Sequence, residues 1–169
     1  LLPLLLGLLP LLALSQWPRE FSESSPAALD LRRLEHLSSQ PSPGQIRRYQ
    51  KKYGIRTIIN LRGADETRRY ALEAETCRAL GIRLIDFKGI LSRSAPYPEV
   101  VASARAMFDE IAYPALIHCK SGADRAGFAA ALYRIFRLGH TVPDATAELA
   151  WHYGHLKGSK TGILDFFFE

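Results

Sequence analysis

Cysteine is scarce in this chain, and the scarcity excludes a structural class. Two cysteines in 169 residues, Cys77 and Cys119, do not make a disulfide framework. Cys77 falls in a helical pattern and reads as a small buried hydrophobe. A bond between the two would act as a redox switch on Cys119 rather than as a staple. Metal-ligand spacing is also missing: His152-x-x-His155 is the only close histidine pair, with no companion cysteine or acid for zinc. No basic stripe interleaved with aromatics occurs, which argues against a nucleic-acid partner. The net charge of +5 is spread over the chain, with −1 in residues 1–28 and +6 in residues 29–169, a balance suited to anionic ligands or to an ordinary solvated surface. Apart from one leucine run there is neither repeat nor low-complexity segment. Gly154 to Thr161 imitates a nucleotide-binding loop, but its glycines are one residue too close and Ser159 replaces the required glycine.

What is present begins with residues 1–14, an apolar run containing Pro3, Gly7 and Pro10. It is too short for a full membrane span of about 20 residues and fits the hydrophobic region of a signal peptide. Ala13 and Ser15 are small residues suited to a cleavage site. The only methionine is Met107, so the start of the chain is expected to be missing, and a longer run would make an anchor. Residues 1–15 therefore read as a signal peptide or membrane anchor, 16–28 as a linker rich in serine, and 29–169 as one domain. Export or membrane association follows, in the bacterial periplasm or at the inner membrane.

Within the domain, strand and helix patterns alternate. Ser42-Pro43 opens a helix closed by Gly54, and Arg56–Leu61 is a strand. Asp65 caps a helix through Leu80, and Ile82–Phe87 is the next strand. Pro96 and Pro98 open a helix with Val100, Val101, Ala104, Met107, Phe108 and Ile111 on its apolar side. Tyr113–Cys119 is a strand, Phe128–Phe136 a buried helix stopped by Gly139, and Pro143-Asp144 begins a helix through Trp151. The pattern implies an α/β fold with a mostly parallel central sheet flanked by helices.

The chain is organised around His118-Cys119-Lys120-Ser121-Gly122-Ala123-Asp124-Arg125-Ala126-Gly127, a loop between a buried strand and a buried helix. Backbone N–H groups at a helix N-terminus form an anion cradle. Amides from Lys120 through Ser121, Gly122, Ala123 and Asp124 to Arg125 would bind a phosphate, with Gly122 keeping the loop tight. Cys119 supplies a nucleophile whose thiolate the helix dipole, Arg125 and Lys120 favour. Arg125 supplies a bidentate clamp for oxyanions.

Cys119 and Arg125, in Cys-x5-Arg relation after His118, resemble the cysteine-dependent protein tyrosine and dual-specificity phosphatases. Ser39-Gln40-Pro41-Ser42 and Tyr53–Gly63 are similar to segments of the atypical bacterial and plant-and-fungi branch, so the likeness runs from about residue 36 to 157. It implies a protein tyrosine phosphatase-like fold and hydrolysis of phosphomonoesters, in proteins or small molecules, through a phosphocysteine on Cys119 without a cofactor. It also implies an orienting role for His118. Two carboxylates could protonate the leaving group. Asp86, 33 positions before Cys119 at a strand end, matches the family's general-acid spacing and is the first choice. Asp124, inside the loop, matches the in-loop acid of some bacterial and lipid-directed relatives. Ala126 departs from the family's Ser or Thr, which implies slower turnover of the phosphoenzyme. Arg62, Lys88 and Arg93 could line the pocket or meet a second phosphate. An inositol phosphate or phosphoinositide substrate is thus the alternative within the class. A non-catalytic phosphate-binding module is the alternative outside it, and a rhodanese-like sulfur transferase fits the loop less well.

Overall fold

Alternation within two short strands determines how the molecule is layered. In Thr57–Asn60 and Ala115–Cys119 every residue is buried, and neighbours along each strand enter different apolar clusters. Ile59, Ala115, Ile117 and Cys119 join one cluster, whereas Ile58 and Leu116 join the other. Successive side chains of a strand face opposite sides, so both strands are covered above and below. A computed structural model describes residues 34–149, 158 and 160–169, and the readings on residues 1–28 and 150–157 lie outside these. Among the described residues, no helix is long and apolar enough to cross a membrane.

The elements run β1 Leu34–Ser39, α1 Pro43–Tyr53, β2 Thr57–Asn60, α2 Arg68–Ala79, β3 Arg83–Asp86, α3 Pro98–Glu110, β4 Ala115–Cys119, α4 Asp124–Leu138, α5 Val142–Ala145 and α6 Ile163–Phe166. The sheet order is β1-β4-β2-β3, and every pairing is parallel. Helices α1 and α2 cover one face through Ile46, Tyr49 and Cys77. Helices α3 and α4 cover the other through Ala104, Phe108 and the Ala126–Tyr133 stretch. Small residues at 126, 127, 129, 130 and 131 bring α4 close to the sheet, while Phe128, Leu132 and Tyr133 fill the space between, at about 1.5–3 kcal/mol for each large side chain buried.

Helix starts follow their chemistry. Ser42 and Gln45 form a reciprocal capping box at α1, with bonds of 2.9 and 3.3 Å, and Gly54 closes that helix in the left-handed conformation. The expected cap of α2 moves from Asp65 to Thr67, whose hydroxyl accepts the Tyr70 N–H at 3.2 Å. Asp65 instead accepts the N–H and hydroxyl of Thr67 and so braces the cap. The helix expected from Pro143 is a four-residue turn, capped by Thr141 and continued by a 3-10 turn over Thr146–Glu148. Strand β1 is an addition to the expected elements. Its sequence, Leu-Glu-His-Leu-Ser-Ser, has no β-branched residue and no strict alternation, so only its pairing with β4 marks it.

Parallel pairing aligns the strand ends. Ser39 stands beside Cys119, His118 beside Asn60, and Asn60 beside Asp86. The loops after β1, β2, β3 and β4 therefore meet at one edge, where α/β sheets commonly bind ligands.

Candidate active site

The loop leaving β4 turns from strand to helix within four residues. Gly122, with φ of +84°, makes that turn in a conformation that side chains other than glycine rarely adopt. Its N–H donates to Cys119 Sγ at 3.2 Å. Cys119 itself is only 2% exposed, at the floor of the loop.

Helix α4 starts at Asp124, and its first internal bond runs from Gly127 N–H to Ala123 carbonyl at 2.8 Å. The N–H groups of Asp124, Arg125 and Ala126 precede that bond. In α1 and α2 a serine and a threonine side chain cap the corresponding groups, but at α4 the capping position holds Ala123 and no side chain caps the end. An uncapped start gives up about 1 kcal/mol of helix stability and leaves the positive end of a 15-residue helix for an anion.

Arg125 is half-buried, and its Nη1 donates to the Leu61 carbonyl at 3.0 Å, in the turn after β2. A guanidinium has five donors in a planar fork, so this bond sets its direction and leaves donors for oxyanions. The same turn is shaped by Asn60, whose Oδ1 accepts the Arg62 N–H at 3.0 Å and whose Nδ2 donates to the Gly63 carbonyl at 3.0 Å. Gly63 is required there: its φ is +74°, and a β-carbon would meet Lys88 Cβ at 3.0 Å.

Asp86 lies at the end of β3, with β2 between it and the cysteine strand. Two strand spacings put its backbone about 10 Å from that of β4. Its Oδ1 accepts from Asn60 Nδ2 at 2.8 Å and its Oδ2 from the Tyr70 hydroxyl at 2.6 Å. That bond, with some burial, pushes the Tyr70 hydroxyl up to about 12. Asp124 is half-buried in the first turn of α4, next to Arg125.

His118 faces the other side of the sheet from Cys119 and meets α2. Its Nε2 lies 2.7 Å from Glu73 Oε1, with both side chains fully buried, and its Nδ1 lies 3.3 Å from the Cys119 carbonyl. Gln40, in the loop after β1, donates to Glu73 Oε2 at 2.9 Å, and Arg62 donates in turn to Gln40 Oε1. Sequence reasoning missed Gln40, Asn60, Tyr70 and Glu73 as parts of the site. Gln40 and Asn60 lie in the two segments that carried the family likeness, which was the available signal. Glu73 has no local mark.

The remaining candidates divide plainly. Lys120 and Ser121 are exposed at the loop rim, as are Lys88 and Arg93 beyond β3, while Arg62 is half-buried between Asp65 and Gln40. Cys77 is free and sits in the α1/α2 cluster, whereas Cys119 joins the α3/α4 cluster. The sheet between them removes the pairing considered from sequence. Burial first, then the Glu73 and Asp86 carboxylates, push the Cys77 thiol up to about 12. His152 and His155 lie outside the described residues.

A sequence model described as the tyrosine phosphatase family matches residues 31–136. The fold is similar to that of Tk-PTP in its active form, with a TM-score of 0.62 at 17% identity, covering 89% of this chain and 97% of that one. It is similar to P. aeruginosa TpbA in complex with pTyr, with a TM-score of 0.60 at 16% identity and 91% of each chain covered. PTPMT1 in complex with PI(5)P gives a TM-score of 0.56 at 16% identity, covering 78% and 88%. No curated protein sequence matches the chain.

Proposed function

The chain belongs to the tyrosine phosphatase family and is a phosphatase, and on that premise we propose that it hydrolyses phosphotyrosine, and phosphoserine or phosphothreonine in proteins, through a phosphocysteine on Cys119. The observation that carries the mechanism is the Gly122 N–H directed at Cys119 Sγ beside an uncapped helix start and Arg125. The thiolate attacks phosphorus, and the S–P bond forms as the P–O ester bond breaks. Arg125 and the loop amides hold the three equatorial oxygens while charge builds on them.

The departing oxygen needs a proton. We take Asp124 as the donor in this mechanism, because it stands in the first turn of α4 beside Arg125, within the loop that holds Cys119. Once the product alcohol leaves, the Asp124 carboxylate takes a proton from water. That water attacks phosphorus, the S–P bond breaks, and inorganic phosphate and the thiolate are released.

A second substrate reading has its own support. Lys120 in the loop, and Lys88 and Arg93 in the segment after β3, are exposed cations that suit a polyphosphorylated ligand such as an inositol phosphate or phosphoinositide headgroup. The leucine-rich start at residues 1–14 supports action outside the cytoplasm or at a membrane. The test is a panel of phosphotyrosine peptides, phosphoserine peptides, inositol phosphates and phosphoinositide vesicles, with wild type and Cys119→Ser. Hydrolysis abolished by the serine substitution is expected, fastest on phosphotyrosine. Activity that survives Cys119→Ser would sink the cysteine mechanism, and faster turnover of inositol phosphates would move the substrate to the second reading.

A further inference from the structure

We propose that the outward face of helices α1 and α2 is a docking surface for anionic lipid, placed beside the cysteine loop and not across it. The proposal goes beyond the phosphatase reading and does not depend on it. Charge that is spread along the sequence is gathered on one side of the fold. Helix α1 has Arg47, Arg48, Lys51 and Lys52 and no acidic residue, and α2 has Arg68, Arg69 and Arg78 against Glu73 and Glu75. All seven cations are exposed and Glu73 is buried, so Glu75 is the one acid that either helix presents to solvent. Seven basic and two acidic residues give these two helices +5, equal to the net charge of the whole chain. Helices α3 and α4, across the sheet, carry four basic and four acidic residues and sum to zero.

The two helices pack against each other, and their cations point away from the sheet. On α1 the buried side is Ile46 and Tyr49, and Arg47 and Lys51 stand one turn apart on the other side, as do Arg48 and Lys52. On α2, Arg68 and Arg78 lie opposite Glu73, Thr76 and Cys77, which face inward. Helix stability does not account for this pattern. Like charges four residues apart weaken a helix, and α1 has two such pairs with no acid of its own. Lys51 and Lys52 suit the negative end of the helix dipole, but Arg47 and Arg48 lie before the last turn and do not.

A cluster of this size on a helical face is what an anionic bilayer attracts, each cation near the surface adding about fivefold to affinity. The same chain holds an apolar run at residues 1–14 suited to a bilayer. The 19 residues from 15 to 33 that join it to β1 reach at most about 65 Å, so a run seated in lipid keeps the basic face near the same surface. One apolar attachment and one basic patch together make a stable anchor. Nucleic acid fits the face less well. Tyr49 and Tyr53 stand among the cations in sequence, but Tyr49 is buried, Tyr53 is half-buried, and Arg48 and Lys52 lie over their rings at 5.6 and 4.8 Å. Bases are left little to stack on. Helices α1 and α2 start from the sheet edge that carries the cysteine loop and run back along the sheet, so a docked face leaves that edge open.

The experiment measures cosedimentation of the full chain with vesicles of phosphatidylcholine, alone or with about 30% phosphatidylglycerol. The reading is the ratio of the two affinities, which cancels what residues 1–14 contribute on any bilayer. Wild type is expected to favour the anionic vesicles by about 100-fold at low salt and to lose the preference in about 0.5 M KCl. Arg47→Gln with Lys51→Gln should cut the ratio by about tenfold or more, and Arg68→Gln with Arg78→Gln should cut it in the same direction. Arg105→Gln with Arg137→Gln removes the same charge from the α3/α4 face and should leave the ratio unchanged. All three pairs should keep the wild-type kcat/KM on soluble p-nitrophenyl phosphate. A wild-type ratio near one overturns the proposal, as do equal losses in the three pairs, which would report net charge and not a face. Tighter binding to poly(U) RNA than to the anionic vesicles, lost with Arg47→Gln and Lys51→Gln, would assign the face to nucleic acid and overturn the lipid partner. Vesicle binding does not depend on turnover, so the expected ratios without phosphate hydrolysis would count against the phosphatase reading and leave the docking surface standing.

Discussion

Exchanging the two candidate acids one at a time separates structure from chemistry. In Asp86→Asn the side chain keeps one acceptor oxygen and gains an NH2, yet it still faces two donors, Asn60 Nδ2 and the Tyr70 hydroxyl. The oxygen can keep Asn60 Nδ2 while the Tyr70 hydroxyl turns to accept from the new NH2, so a charged acceptor is lost and neutral bonds replace it. A hydrogen bond to a charged acceptor contributes about 1.5–3 kcal/mol, and exposure of Asp86 to solvent reduces the loss to about 1 kcal/mol. For a domain of this size that is a fall of about 3 °C in Tm, readable by thermal denaturation. Catalysis should change little, by less than about threefold on any aryl phosphate. Asp124→Asn should do the opposite. With phenyl phosphate, whose leaving group needs a proton, kcat should drop by about 100-fold or more, as expected for loss of a general acid. With p-nitrophenyl phosphate, whose leaving group departs as the anion, the loss should be at least tenfold smaller, and the basic limb of the pH profile should flatten. A 100-fold loss on phenyl phosphate in Asp86→Asn, with Asp124→Asn near wild type, would refute the reasoning and return the acid to β3.

Two other outcomes follow from single contacts. Ala126 is fully buried just after Arg125, at the position where the family's hydroxyl stabilises the leaving thiolate; Ala126→Ser should raise the steady-state rate severalfold and shrink the phosphoenzyme burst in rapid-quench measurements, and an unchanged steady state would show that the hydroxyl is not limiting. Because its hydroxyl is pushed up to about 12 by its bond to Asp86, Tyr70 keeps its proton in the folded protein at pH values where the unfolded chain has lost it. That contribution is complete below about 10 and is lost as the pH rises from 10 to 12, so Tyr70→Phe should flatten the decline of urea-measured stability in that window. An identical decline in both proteins would assign it to other groups.

The parts of the site legible in sequence are those whose chemistry is local. Cys119, Gly122 and Arg125 belong to one loop, and the apolar runs on either side announce the buried strand and helix that give the loop its shape. The acid at residue 73 was illegible for the converse reason. On α2 it is one of several charged residues in a helix with little apolar patterning, and only the crossing of α2 under β4 brings it to His118. Gln40 depends on β1, a strand that its own composition does not favour and that exists because β4 offers an edge. Asp86 shows a subtler limit. Its spacing from the cysteine indicated proximity to the site edge but said nothing of Asn60 and Tyr70, which occupy both of its oxygens. Helix starts were within a few residues throughout; the α2 cap shifted from Asp65 to Thr67 because both side chains can cap and they cooperate.

The sheet that separates Cys77 from Cys119 bears on how the enzyme meets peroxide. The thiolate that the proposed mechanism requires is also the form that peroxide oxidises to the sulfenic acid. Many thiol enzymes stop there because a second cysteine closes a disulfide, which a reductant later opens. The only other sulfhydryl in this sequence is behind the sheet and held protonated by burial. The oxidised sulfur must therefore be rescued by a thiol arriving from solution or by a neighbouring backbone nitrogen, and without either it passes to the irreversible sulfinic acid. The second cysteine of this sequence thus takes no part in recovery from oxidative stress.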